Sequence, residues 1–111
     1  MVERFVETLD RTYASLSHPV RRAMLLHLRN GAARVTELAD PFDISLAAAS
    51  KHIGQLERAG LVERDIRGRD HWISLRANPL EEATAWLALY RSFWNRRLDA
   101  LEYFLREGND A

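Results

Sequence analysis

Apolar residues recur every three or four positions in five stretches of the chain, which is the spacing that gives an α-helix one apolar face. The stretch at 45–59 has the clearest boundaries, because Ser45 is a good N-cap and Gly60 a good stop. Pro19 suits the first turn of the second helix, and Gly31 is a plausible end for it. The helices are predicted over 5–16, 20–30, 35–40, 45–59 and 79–107.

Between 61 and 76 the pattern changes to one that is typical of β-strands. The segments 61–66 and 71–76 are rich in β-branched and aromatic residues, and a polar turn lies between them. This predicts a β-hairpin. The order of elements predicts a mainly α protein with a two-stranded β-wing, which is a winged helix-turn-helix with additional N- and C-terminal helices. We expect 1–111 to be a single domain, with the helix-turn-helix at 35–59 and the β-wing at 61–76.

The helix at 45–59 would be the recognition helix, which proteins of this design insert into the major groove of DNA. Gln55 could pair with an adenine edge, and Lys51 or Arg58 with guanine or phosphate. The side predicted to face the core comprises Leu46, Ala49, Ile53 and Leu56. The candidate DNA-binding residues of this helix are Ser45, Ala47, Ala48, Ser50, Lys51, His52, Gln55 and Arg58. Periodicity alone would equally fit an ordinary α-helical domain, so the hairpin decides the interpretation.

The predicted tip of the hairpin adds two further candidates for DNA binding. Arg67 and Arg69 flank Gly68 at a point that would project from the body, where charge has no packing role. Such a tip suits contact with phosphates or the minor groove. The alternative for either arginine is a solvated turn.

The stretch VTELADPFDISLAAASKHIGQLERAGLV at 35–62 resembles the core of the ArsR/SmtB (arsenic-repressor) family of bacterial transcriptional regulators. LSHPVRR at 16–22 and GRDHW at 68–72 are similar to this family as well. The resemblance implies a homodimeric winged helix-turn-helix repressor that binds an imperfect inverted repeat in double-stranded DNA. It puts Ser50, Lys51 and His52 at the most recognisable positions of the recognition helix. Ala47 departs from the family, in which proline is frequent at this position.

The last predicted helix is too long for the domain that contains it. From 79 to 107 it would extend about 43 Å, whereas a domain of this size spans only about 30 Å. Its apolar positions repeat every seven residues, which would expose a wide stripe unless a second copy covered it. We therefore expect a homodimer, with 1–16 and 79–107 as dimerisation helices and the first packed against the last. The candidate interface residues are Phe5, Leu9, Tyr13, Leu87, Tyr90, Trp94, Leu98 and Leu101.

The composition of the chain is ordinary, but the distribution of its charges bears on DNA binding. Hydrophobic residues make up 47% and charged residues 29%, as in ordinary globular proteins. The 16 basic and 16 acidic residues cancel, which argues against a nucleic-acid binder. Residues 17–76, however, hold 10 basic and 7 acidic side chains, a net charge of +3. No apolar run approaches the roughly 20 residues of a membrane span, and no signal-like start is visible, so we expect a cytoplasmic protein without membrane contact.

The sequence contains no recognisable metal site, cofactor motif or catalytic centre. Many members of the family that it resembles sense metals through cysteines in the recognition helix or His and Asp on the last helix, and neither set is present. The four histidines are scattered, and His18, before a proline at a helix start, is expected to make a structural hydrogen bond. For His52, packing or a phosphate bond is expected. No nucleophile stands beside a suitable base, so we expect no enzymatic activity, no metal and no cofactor.

Two alternatives to a simple repressor stay open. The same fold could be a protein-interaction module that uses its wing and recognition helix to dock a protein. It could also be a small-molecule-responsive switch whose effector is unknown, with an apolar cavity between the end helices. The residues that could line this cavity are Trp86, Tyr90, Phe93 and Trp94. Aromatic residues at helical spacing are more often part of a core.

Overall fold

The computed structural model of the chain describes residues 2–109, with the side chains of residues 7–108. It confirms the predicted winged helix-turn-helix with additional helices at both ends. The residues form two compact units that divide between Glu81 and Glu82, so the described part of the second unit lies within the last helix. The elements are α1 (Val2–Leu16), α2 (Pro19–Leu28), β1 (Ala33–Arg34), α3 (Val35–Ala39), α4 (Leu46–Arg58), β2 (Val62–Arg67), β3 (Asp70–Leu75) and α5 (Asn78–Asn109).

The core of the first unit is built from the inner faces of α2, α3, α4 and the sheet. Its largest fully buried apolar side chains are Met24, Leu38, Ile53, Leu56, Leu61 and Ile73. α4 contributes Ile53 and Leu56 together with Ala49, all at 0% exposure. Because these three residues lie on one side of α4, burying them leaves the opposite side of the helix to solvent.

The prediction that Leu46 also faces the core is wrong, because this side chain is 55% exposed. Leu46 is the first residue of α4, and side chains on a helix tilt toward its N-terminus. The side chain of Leu46 therefore points past the start of the helix. The contact of α4 with the core begins one turn later, at Ala49.

The sheet has three strands rather than the two predicted for the wing. β1 pairs antiparallel with β3, with Ala33 opposite Ile73 and Arg34 opposite Trp72, in the strand order β1-β3-β2. A strand of two residues is too short to produce an alternating pattern, so the sequence carried no signal for it. Pairing of β1 ties the segment just before the helix-turn-helix to the wing.

The hairpin of β2 and β3 turns over two residues, Gly68 and Arg69, between the paired residues Arg67 and Asp70. Gly68 has φ +62°, and no residue other than glycine has a positive φ in the described chain. Glycine with positive φ at the first of two loop positions is the pattern of a type II′ turn, which matches the twist of the flanking strands. The strands run one residue later than predicted at β2 and one earlier at β3.

α4 ends in a Schellman motif around Gly60, which has φ +74°. The Gly60 N–H donates to the Glu57 carbonyl at 2.9 Å, and the Leu61 N–H donates to the Leu56 carbonyl at 3.0 Å. Leu56 and Leu61 are both fully buried, which supplies the hydrophobic contact that accompanies this motif. The predicted stop at Gly60 is therefore confirmed, and its backbone conformation directs the chain into β2.

The part of α5 in the second unit exposes a series of large apolar side chains. They are Leu87, Leu89, Tyr90, Phe93, Trp94, Leu98, Leu101, Tyr103, Phe104 and Leu105. The rings of Trp86 and Tyr90 contact each other at a tilt of 56° along the helix, with centroids 5.1 Å apart. Among residues 2–109, no helix has the combination of length and apolarity that crossing a bilayer requires.

Candidate nucleic-acid interface

The N-terminus of α4 is capped and free of bulky side chains. Ser45 Oγ accepts a hydrogen bond from the Ala48 N–H at 3.1 Å, as the sequence predicted for this cap. The N–H groups of Leu46 and Ala47 precede the first intrahelical hydrogen bond and point out of the helix end. No acidic residue lies in the first turn. This end of α4 can therefore receive a phosphate oxygen and approach a base pair closely.

The outer face of α4 carries most of the candidate DNA-binding side chains. Ala47, Ser50, Lys51 and Arg58 are exposed, and Gln55 is half-buried along the same side. The four ion pairs among the described side chains include neither Lys51 nor Arg58, so both cations are available to an external anion. The structure thus brings one amide, one hydroxyl and two cations together on a single helical surface.

His52 differs from the other candidates because it is half-buried against α2 and the α1–α2 junction. Its ring lies 4.4 Å from the ring of His18, and its Nδ1 lies 3.3 Å from Arg21 Nη1. Burial, followed by the positive neighbours His18, Arg21 and Lys51, lowers the pKa of His52 below its ordinary value of 6.5. An arginine cannot accept a hydrogen bond, so Nδ1 of a neutral His52 must be the acceptor. His52 therefore packs against α2 and helps to position α4. Of the two roles expected for it, packing and a phosphate bond, these contacts correspond to packing.

Arg21 is the residue that joins α4 to the first two helices, and sequence reasoning missed it. Arg21 is only 8% exposed, and its guanidinium donates to the carbonyls of Ser15 at 2.8 Å and Ala14 at 3.0 Å, as well as to His52. Both carbonyls lie in the last turn of α1, where the carbonyl groups have no N–H of the helix itself to accept from. His18 caps α2 by accepting from the Val20 N–H at 3.1 Å, which confirms the structural hydrogen bond expected for it.

A second polar group fixes the wing against α4. Arg64 on β2 donates to Glu57 Oε1 on α4 through Nη2 at 2.6 Å and through Nε at 3.1 Å. Its Nη1 also donates to His71 Nδ1 on β3 at 2.8 Å. All three side chains are partly buried, so water competes with these bonds less than at an exposed pair. The wing and the recognition helix are consequently held in one arrangement.

The two arginines of the wing tip differ in their surroundings. Arg67 Nε donates to Asp65 Oδ2 at 2.8 Å, and its guanidinium lies 5.8 Å from the Trp72 ring. The expectation that charge at the tip has no packing role is thus wrong for Arg67, because Trp72 offers it an aromatic face. Arg69 is exposed and takes part in none of the ion pairs among the described side chains. Arg69 is therefore the freer of the two to meet a phosphate.

A cleft of about 240 Å³ separates the N-terminal half of α4 from the wing. Leu46 and Ser50 line it from α4, Val35 and Thr36 from α3, and Arg69, Asp70 and His71 from the wing. The cleft combines apolar side chains, hydroxyl groups, cations and one carboxylate at the end of the recognition helix that enters the major groove in proteins of this fold.

The candidate dimer-interface residues are divided between the two units. Leu87, Tyr90, Trp94, Leu98 and Leu101 are all at least half exposed. Leu9 is already buried in the single chain and Tyr13 is half-buried, so they offer little surface to a partner. The side chain of Phe5 lies outside the described residues. Among the described residues, no three His, Asp or Glu side chains form a group that could hold a metal ion.

Comparison with known proteins places these features in a family context. A model described as a helix-turn-helix domain matches residues 16–65. The crystal structure of the ArsR family transcriptional regulator RHA00566 is 37% identical with a TM-score of 0.75, covering 80% of this chain and 92% of that one. The transcriptional repressor SdpR of Bacillus subtilis (strain 168) is 25% identical over 79 residues, which are 71% of this chain and 88% of SdpR.

A third similar protein bears on the fold alone. It is the homodimeric winged helix-turn-helix DNA-binding domain of Mb0332 from Mycobacterium bovis, solved by solution NMR. The two chains are 21% identical with a TM-score of 0.63, and the match covers 88% of each.

Proposed function

The chain belongs to the ArsR family of transcriptional regulators, and we propose that it represses transcription as a homodimer bound to an imperfect inverted repeat in double-stranded DNA. Its family makes it a DNA-binding regulator rather than an enzyme. The observation that carries the proposal is the outer face of α4, where a capped helix end with small residues leads into exposed polar and cationic side chains.

The proposed contacts fall into two groups. Ser50, Lys51 and Gln55 meet base edges in the major groove, where an amide pairs with adenine and a lysine with guanine. The remaining contacts are to the sugar–phosphate backbone, which supplies most of the affinity and orients the protein. They come from the helix end at Ser45, Ala47 and Ala48 and from Arg58, Arg67 and Arg69. His52 contributes indirectly, because its bond with Arg21 sets the position of α4.

A homodimer accounts for the exposed surface of α5 and for the charge distribution. The apolar stripe of α5 in the second unit is covered if two copies associate through it. The Mb0332 domain, which has the same fold, is homodimeric. In the proposed organisation, 1–16 and 79–107 are the dimerisation helices of a single winged helix-turn-helix domain. Each copy then presents the central region, whose net charge is +3, to one half of the operator.

The test is selection of bound DNA from a random pool, followed by titration with the selected sequence. We expect two half-sites about one helical turn apart, and an affinity that falls by about a thousandfold between about 50 and 200 mM salt. The double variant Lys51→Ala plus Gln55→Ala should lose at least about thirtyfold in affinity, since each of the two base contacts that it removes contributes about 1–3 kcal/mol.

Arg29→Ala is the matched control, because it removes an exposed positive charge at the end of α2, outside the proposed interface. It should bind the selected DNA within about twofold of the unchanged protein. Failure to enrich any sequence, together with binding that is insensitive to salt, would contradict the proposal and favour a protein-interaction module.

A further inference from the structure

Leu46 is an exposed apolar side chain at the start of the recognition helix. The other large apolar residues of α4, Ile53 and Leu56, are fully buried, whereas Leu46 is 55% exposed at the first position of the helix. Leucine in that position is not needed for the core, whose contact with α4 begins at Ala49. At the end of the recognition helix, this exposed side chain is available to a partner outside the chain.

The surroundings of Leu46 identify the kind of partner. Leu46 and Ser50, one helical turn further on, line the cleft between α4 and the wing, and Arg69 lines it from the opposite side. A base pair that enters this cleft would meet an aliphatic side chain and a hydroxyl on α4, with a guanidinium available to the neighbouring phosphate. The cleft of about 240 Å³ has room for a small group such as a methyl together with a phosphate oxygen.

In the major groove of DNA, the apolar group that distinguishes one base pair from the others is the 5-methyl of thymine. It lies toward the outer side of the groove, close to the sugar–phosphate backbone of its own strand. We infer that Leu46 selects a thymine in each half-site by packing against this methyl group, while Arg69 contacts a phosphate beside it. This inference rests on the proposed function and assigns one base of the operator to one residue of the chain.

The experiment uses deoxyuridine, which pairs with adenine as thymine does and lacks only the methyl group. Each thymine of the selected half-site is replaced in turn by deoxyuridine, and affinity is measured for the full-length protein and for Leu46→Ala. For the unchanged protein, deoxyuridine at one position should lower the affinity about fourfold, which is the expected effect of removing one buried methyl. Replacement in both half-sites of a dimer should then cost about fifteenfold.

Leu46→Ala changes both half-sites of the dimer, so its affinity for unmodified DNA should also fall by about fifteenfold. Deoxyuridine at the same position should then lower the affinity of this variant no further. Leu26→Ala is the matched control, because Leu26 is 60% exposed on α2, which supplies none of the proposed contacts. This variant should keep the full sensitivity to deoxyuridine. Because Leu46 is more than half exposed, its truncation should leave the helical circular dichroism and the melting temperature close to those of the unchanged protein.

Two results would overturn the inference while leaving DNA binding intact. One is tight binding of the unchanged protein with no sensitivity to deoxyuridine at any position. The other is equal sensitivity in Leu46→Ala and the unchanged protein, which would assign the methyl contact to another residue. Absence of sequence-specific DNA binding by the unchanged protein would instead reject the proposed function, and the inference with it.

Discussion

At the scale of single residues, Arg21 shows how one buried cation can connect three helices. It satisfies two carbonyls at the end of α1 and donates to His52 on α4. The sequence held a signal for this role, because 21 has the same helical spacing as the apolar positions 24, 25 and 28. A charged residue within an apolar stripe needs several hydrogen-bond partners, but the spacing does not say where they come from.

The protonation of His52 makes stability depend on pH in a defined direction. Burial and the nearby charges lower the pKa of His52 in the folded protein, whereas in the unfolded chain it titrates near 6.5. Well above pH 6.5 neither state binds the proton, so the contribution is constant. As pH falls below 6.5, the unfolded state takes up the proton first, and the free energy of unfolding decreases until the folded state also binds it.

Urea unfolding at pH 7.5 and 5.5 tests this expectation by comparing the unchanged protein with His52→Gln. The glutamine side chain can still accept from Arg21 but does not titrate, so the variant should lose less stability between the two pH values. His27→Gln is the control for the substitution itself, because it makes the same change at an exposed histidine of α2. An equal loss of stability in His52→Gln and the unchanged protein would show that His52 does not titrate differently on folding.

At the scale of elements, α4 could be predicted because all of its local signals agree. Ser45 begins it, Ala49, Ile53 and Leu56 provide its buried face, and Gly60 ends it. The exposure of Leu46 could not be predicted, because helical spacing does not reveal where the core stops along the axis. β1 and the bonds of Arg64 depend on register between distant segments, which a local pattern does not contain.

The glycine inside α4 and the glycine that follows its end should respond in opposite ways to alanine. Gly60 has φ +74°, so Gly60→Ala should lower the free energy of unfolding by about 1–2 kcal/mol. The added Cβ would lie 3.7 Å from Pro79 Cγ, an ordinary contact, so the cost arises from the backbone conformation. Gly54 lies inside α4, and Gly54→Ala should raise the stability by about 0.5–1 kcal/mol, because alanine favours the helix.

Thermal or urea unfolding of the two glycine variants distinguishes these effects. At Gly54 the added Cβ would lie 3.5 Å from Arg58 Nη1, at the end of a flexible side chain, so there is room for it. If Gly60→Ala left the stability unchanged or raised it, the left-handed conformation of Gly60 would not be what ends α4.

At the scale of the whole molecule, a chain with no net charge has to bring its basic residues to one surface if it is to bind DNA. The basic region could be identified from the sequence because the charges segregate along the chain, with +3 over 17–76. The length of α5 and its apolar stripe could be predicted as well, because a seven-residue repeat persists over four turns or more. Leu9 was expected at the interface, although the fold already buries this side chain.

The proposed dimer predicts that Trp94→Glu gives monomers. Trp94 lies in the middle of the apolar stripe and is 60% exposed in the single chain. Covering it in a dimer would bury a large aromatic group, and such residues at the centre of an interface typically contribute about 2 kcal/mol or more. Glutamate would lose this contribution and add a buried unpaired charge, so the dissociation constant should rise by at least about thirtyfold. Sedimentation or light scattering should then report a particle near 12.8 kDa.

Tyr103→Glu is the matched control for this change, because Tyr103 is 67% exposed on the same helix. It lies nine residues beyond Trp94, and at 100° per residue that places the two side chains on opposite sides of α5. The control should remain dimeric and bind DNA, whereas Trp94→Glu should lose operator binding together with dimerisation, since one half-site alone offers half the contacts. A Trp94→Glu protein that stays dimeric would mean that the copies associate elsewhere, and a monomer with unchanged operator affinity would mean that the two half-sites are not bound by a dimer.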